Sequence, residues 1–166
     1  VGKTTLVKAL KKLPEFEDYN FATERSKYLN KIGIPLNTDS TLKGQTVFLA
    51  ERCAELMNEN IITDRTIIDV MAFTMNAKSI AYQDKEIFED YAKEFIREYD
   101  YIFYISPDGL PMEDNGVRET DEYYRDIIDF SITSLIRKYA YMMDKIETIK
   151  GSTQDRISQM LNVINS

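Results

Sequence analysis

Val1-Gly2-Lys3-Thr4-Thr5-Leu6 is the stretch on which the fold turns. It reads as the second half of the phosphate-binding pattern G-x-x-x-x-G-K-[ST], whose first glycine would lie ahead of residue 1. In such a loop the backbone N–H groups wrap the phosphates of a nucleotide. Lys3 would reach the β- and γ-phosphates, and the Thr4 hydroxyl would ligate Mg²⁺. Leu6, Ala9, Leu10 and Leu13 follow at helical spacing and Pro14 stops the run. A helix start is what a phosphate needs, because its free N–H groups and its dipole both favour an anion. Gly2, Lys3, Thr4 and Thr5 are therefore the candidate nucleotide-binding residues. The strand that feeds such a loop is expected in a longer chain, so the sheet read here lacks its first strand.

The composition narrows the chemistry. At 166 residues the chain has the size of one domain. Hydrophobic residues make up 43%, enough for a core and too many for wholesale disorder. No apolar run approaches the roughly 18 residues of a membrane span, and no signal peptide is visible. One cysteine, Cys53, and no histidine exclude an intrachain disulfide, a Cys/His zinc cluster and histidine-based triads. Acid–base work falls to Asp, Glu, Lys or Tyr, or to metal-bound water, and the expected compartment is the reducing cytoplasm. A net charge of -7 disfavours nucleic acid as a main partner, although a local basic cleft leaves it open. Homo-oligomerisation is also left open.

Apolar strands alternate with helical segments along the chain. Helices are expected over 4–13, 24–32, 41–58, 66–81, 84–98, 121–139 and 152–164. In the helix 41–58 the residues Phe48, Leu49, Ala50, Cys53, Ala54 and Leu56 are expected inward. Strands are expected at Phe21-Ala22, Ile61-Ile62-Thr63, Tyr101-Ile102-Phe103-Tyr104-Ile105 and 145–150. The alternation implies parallel β-α units with helices on both faces. The fold class is thus an α/β P-loop NTPase, a three-layer αβα sandwich over residues 1–166. Ligands in such sheets bind at the carboxyl ends of the strands.

The strand ends carry the candidate site. Asp64 closes an apolar strand, as an acid that holds Mg²⁺ does, or else caps the next helix. Arg65 beside it either holds a phosphate or forms a salt bridge. Glu24 and Arg25 follow the Phe21-Ala22 strand. Glu24 either accepts the proton of an acceptor hydroxyl or complements a helix dipole, and Arg25 would orient the acceptor. Asp69 either contacts the acceptor or sits on a solvated face. Glu113-Asp114-Asn115-Gly116-Val117-Arg118 lies in a polar loop that reads, over about 108–125, as a lid whose Arg118 and Arg125 close over the nucleotide. Gly151, Ser152 and Arg156 follow the last strand. Ser152 with Asp155 matches a capping box, and the alternative is a loop against the purine with Arg156 stacked on the base.

In order and spacing these pieces resemble the AAA-domain P-loop family, with phage members, that includes the nicotinamide riboside kinase domain of the bacterial NAD regulator. The carrying residues are Gly2-Lys3-Thr4-Thr5, Glu24-Arg25, the Gly33-Ile34-Pro35-Leu36 break, Thr63-Asp64-Arg65, Gly116-Val117-Arg118-Glu119-Thr120, and Gly151-Ser152 with Arg156. The resemblance implies an ATP-dependent kinase related to nucleoside and nucleotide kinases, with Lys3 on the phosphates, Thr4 on Mg²⁺, Asp64 near the metal and Arg118 in the lid. This chain reads Asp114-Asn115-Gly116 where an acid directly before the glycine is expected. The choice of ATP over GTP follows from the resemblance.

The expected activity is Mg·ATP-dependent phosphoryl transfer to a small nucleoside- or nucleotide-like acceptor. The catalytic candidates are Lys3, Glu24, Asp64 and Arg118, with Arg25, Arg65 and Asp69 on the acceptor. A nucleotide-binding regulatory ATPase, or a kinase of nucleic-acid ends or modified DNA bases, is the alternative.

Overall fold

Four short parallel strands and seven helices make up the described part of the chain, residues 2–23, 25–107 and 122–166 of a computed structural model. The order is α1 (Lys3–Leu10), β1 (Asn20–Ala22), α2 (Ser26–Lys31), α3 (Leu42–Glu55), β2 (Ile61–Thr63), α4 (Ile67–Met75) and α5 (Tyr82–Ala92). Then follow β3 (Ile102–Ile105), α6 (Glu122–Lys138), β4 (Ile146–Ile149) and α7 (Thr153–Ile164).

Local chemistry sets the boundaries. Thr41 caps α3, its hydroxyl accepting from the Gly44 N–H at 3.1 Å. Thr66 with Asp69 and Ser152 with Asp155 form capping boxes that start α4 and α7. The expected helix 84–98 divides into α5 and a 3₁₀ stretch Lys93–Glu98, and the expected helix 66–81 stops at Met75. On α3 the buried positions are Gly44, Gln45, Leu49 and Arg52. Ala50 and Ala54, expected inward, are exposed. Burial on this helix follows what packs above it, and two polar side chains have taken positions that periodicity assigns to apolar ones.

The strands are all parallel, as expected, but among the described residues they form two sheets. β1 pairs with β2, Phe21 opposite Ile62, and β3 pairs with β4, Tyr104 opposite Thr148. Residues Ile61 to Thr63 of β2 and Ile102 to Ile105 of β3 line one slot of about 450 Å³. A strand of four residues is about 13 Å long. Laid in that slot, parallel to both neighbours, it would join the two pairs into one five-stranded sheet.

Helices cover both faces. On one side α3, α4, α5 and α6 pack around Leu49, Ile67, Met71, Phe88 and Leu135. On the other, α1 and α7 pack through Leu6, Leu10, Ile157 and Met160, with Phe21, Ile62, Phe103 and Ile105 beneath them. Side chains alternate along β3: Ile102 joins the first cluster, Phe103 and Ile105 the second. Because α1 and α7 rest on strands of both pairs, the two sheets keep a common layer. The molecule is an α/β fold of the P-loop NTPase type, with α1 and α7 starting at the carboxyl ends of the strands.

Candidate active site

Gly2 stands at the N-cap of α1 in the left-handed region, φ 75° and ψ 1°. Glycine reaches this region without the Cβ clash that penalises other residues. No side chain caps α1, so its first N–H groups suit an anion. Lys3 lines the mouth of the slot beside Gly2, and Thr5 is exposed.

Thr4 and Asp64 meet across 60 residues of sequence: the Thr4 hydroxyl donates to Asp64 Oδ2 at 2.7 Å. Asp64 is only 2% exposed. Its other oxygen, Oδ1, is buried and has no hydrogen-bond partner among the described residues. The Asp64 N–H extends the β1–β2 ladder by donating to the Ala22 carbonyl at 2.8 Å. Asp64 is not the cap of α4, because Thr66 occupies that position. A buried carboxylate oxygen without a partner, next to a threonine hydroxyl, is a hard-oxygen donor set that fits Mg²⁺. That ion keeps several waters and takes one or two protein ligands beside its phosphates. No cluster of three or more acids, cysteines or histidines exists among the described residues, and a site of this kind requires none.

Arg65 has φ 100°, a region that costs a non-glycine residue of order 1–3 kcal/mol and that clusters at functional sites. Its guanidinium lies 3.7 Å from Asp69 and 5.2 Å above the Phe73 ring. Asp69 closes the α4 capping box, accepting from the Thr66 N–H at 2.8 Å. Asp69 is thus held by the helix start and by Arg65 rather than by solvent. Arg25 reaches α3, pairing with Glu51 at 3.0 Å and covering the Tyr28 ring at 4.5 Å.

A second, smaller cavity of about 60 Å³ lies beside these residues, lined by Arg25, Gln45, Arg52, Arg65, Asp69 and Phe73 among others. Arg65, Asp69 and Phe73 also line the slot, so the two spaces adjoin. Gln45 is 4% exposed and Arg52 3%. Arg52 pairs with Glu55 at 2.6 Å. Burial pushes the Glu55 carboxyl up to about 7, against the opposing pull of the Arg52 charge. The sequence reading missed Gln45, Arg52 and Phe73. The signal available for the first two was two polar residues seven apart on one helix face, a spacing that reads equally well as a solvated stripe.

The loop after β4 is explained by its helix. Ser152 Oγ accepts from the Asp155 N–H at 3.2 Å, and the Ser152 N–H donates to Asp155 Oδ2 at 2.9 Å. A Cβ on Gly151, whose φ is 92°, would meet Asp155 Oδ2 at 2.8 Å. Capping therefore sets the conformation of Gly151 and Ser152. Arg156 is 5% exposed and turns toward α1, with Nη1 2.9 Å from where a Cβ on Gly2 would stand. Arg125, in the first turn of α6, lines the slot together with Lys3 and Asp64. Glu24, Arg118 and most of the expected lid lie outside the described residues.

Neither a protein-family model nor a curated protein sequence matches the chain. Its fold is similar to that of a deoxyadenosine kinase from M. mycoides, solved with the products dCMP and a flexible dCDP bound. That similarity has a TM-score of 0.65 over 99% of this chain and 93% of the other, at 17% sequence identity.

Proposed function

We propose that the protein is a P-loop kinase, a single domain that transfers the γ-phosphoryl of ATP to a small nucleoside- or nucleotide-like acceptor. The observation that carries the reading is the Thr4–Asp64 pair. The residue after the loop lysine is bonded to the acid at the end of a parallel strand, and the acid keeps one buried oxygen without a partner among the described residues. This is the hydroxyl-plus-acid arrangement around a nucleotide-bound Mg²⁺ in P-loop NTPases. The similarity in fold to a deoxyadenosine kinase supports the same reading.

In this reading the N-terminus of α1 and Lys3 hold the β- and γ-phosphates, with Gly2 and Thr5 completing the loop. Thr4 and Asp64 would hold Mg²⁺, which when bound offsets the charge on the phosphate oxygens. The smaller cavity takes the ring of the acceptor. Phe73 offers an apolar face, and the Gln45 amide and the Arg52 guanidinium offer polar atoms at its edge. Arg25, Arg65 and Asp69, tied to helices on either side, place the acceptor hydroxyl between the cavity and the carboxyl ends of the strands. Glu24 accepts the proton of that hydroxyl, and Arg118 with Arg125 closes over the transferring group. Catalysis is then mainly positioning and electrostatic stabilisation, which is what phosphoryl transfer demands of a protein.

The test is a transfer assay with labelled ATP and a panel of nucleosides, nucleoside monophosphates, nicotinamide riboside and single-stranded DNA. Nicotinamide riboside belongs on the panel because of the resemblance in sequence to the kinase domain of the NAD regulator. Label on a small acceptor, lost in Lys3→Ala, is the expected result. Phosphate release with no acceptor labelled would instead indicate a regulatory ATPase, and label confined to DNA a nucleic-acid kinase. Equal transfer by Lys3→Ala and the unaltered protein would overturn the reading altogether.

A further inference from the structure

Arg156 is a charge in an unusual place. It lies in the first turn of α7 and is 95% buried by the complement of its 5% exposure. Among the described residues its side chain has no ion pair and no hydrogen-bond partner, and its Nε is buried and unsatisfied. The neighbouring carboxylate does not serve it, because Asp155 is committed to the Ser152 cap. Leaving a guanidinium buried and unpaired costs several kcal/mol.

The surroundings add to that cost. The guanidinium lies against Gly2, at the N-terminus of α1, and Arg156 itself belongs to the N-terminal turn of α7. Both helix ends carry partial positive charge. Lys3 lies in the same turn of α1. Two helix N-termini and the Arg156 guanidinium therefore converge at Gly2, with Lys3 the next residue along α1, and an anion carrying several negative charges stabilises all of them.

We infer that Arg156 is a phosphate-contacting residue of the nucleotide site, not a platform for the base. Resting on the P-loop reading above, this assigns the ligand at that point to the polyphosphate of the nucleoside triphosphate, an anion that any base could carry. Its planar donors suit phosphate oxygens, and being buried it loses little ordering entropy when they arrive. The burial that rules out a solvent-facing stacking surface is the same burial that strengthens a charge–charge contact.

Calorimetric titration of ATP, GTP, CTP and inorganic tripolyphosphate into the unaltered protein, Arg156→Met and Lys3→Ala tests this. Arg156→Met is expected to weaken all four by a similar factor, about ten- to a hundredfold. Without ligand it is expected to melt at the same temperature or higher, since an uncompensated buried charge has been replaced by an apolar side chain of similar volume. A loss confined to one base, with tripolyphosphate unaffected, would show a base contact and overturn the inference. So would a ligand-free Arg156→Met protein that melts several degrees lower and binds tripolyphosphate normally, because Arg156 would then be structural. Lys3→Ala separates the two readings. If it binds ATP as tightly as the unaltered protein, the P-loop reading fails, whatever the Arg156 result.

Discussion

Thr4 and Asp64 concentrate the electrostatics of the site in two side chains. Asp64 is held in place by its backbone bond to Ala22 and by the Thr4 hydroxyl, so its free oxygen has a fixed position. Asp64→Asn keeps the size and can keep the Thr4 bond while removing the charge. We expect transfer to fall by about a hundredfold or more, with Mg²⁺ required at higher concentration and the denaturation midpoint nearly unchanged. A variant with normal magnesium dependence would remove Asp64 from the site. Arg65 shows a related economy. Its φ of 100° is tolerated because the end of β2 and the cap of α4 leave only Asp64 and Arg65 to make the turn between them.

Burial and charge meet on α3. It carries Gln45 and Arg52 inward, and Glu51 and Glu55 toward Arg25 and Arg52. Glu55 titrates from about 7 in the folded protein and from its ordinary 4.5 when unfolded. Between those values the folded state binds more protons, so stability falls as pH rises from 4.5 to 7 and is fully present below 4.5. Glu55→Gln is expected to flatten the pH dependence of the denaturation midpoint over that window. An unchanged slope would show that burial does not hold the Glu55 proton. Of the two capping boxes, Ser152 with Asp155 stands in the sequence reading as a box with Asp for Glu. Thr66 with Asp69 has the same form but was not read, Asp64 being weighed as the cap instead. Capping is local, so the pattern is present in four consecutive residues. The inward face of α3 was not readable, because what a helix buries depends on the elements laid against it.

For the whole molecule, the sandwich has two cores with different tasks. The cluster around Met71 and Leu135 joins α3 to α6, and the cluster around Leu10 and Met160 seats α1 and α7 on strands of both sheets. Met71→Ala and Leu10→Ala are each expected to cost about 2–5 kcal/mol in chemical denaturation. Leu10→Ala alone is expected to weaken ATP binding as well, because α1 is the helix proposed to hold the phosphates. Equal ATP affinity in the two variants would mean that the seating of α1 does not matter to the nucleotide. The sequence by itself determined what depends on neighbours along the chain. It specified the Gly2-Lys3-Thr4 helix start, the strands rich in Ile, Phe and Tyr, the α/β alternation with its parallel pairing, and the acid at the end of β2. Only the tertiary structure decided that Thr4 bonds Asp64, that Arg156 turns to Gly2 rather than outward, that Gln45 and Arg52 face a cavity, and that β2 and β3 stand apart across a slot. Helix and strand preferences act over a few residues. Those four outcomes join or separate groups far apart in sequence, and they are settled by packing once the chain has closed on itself.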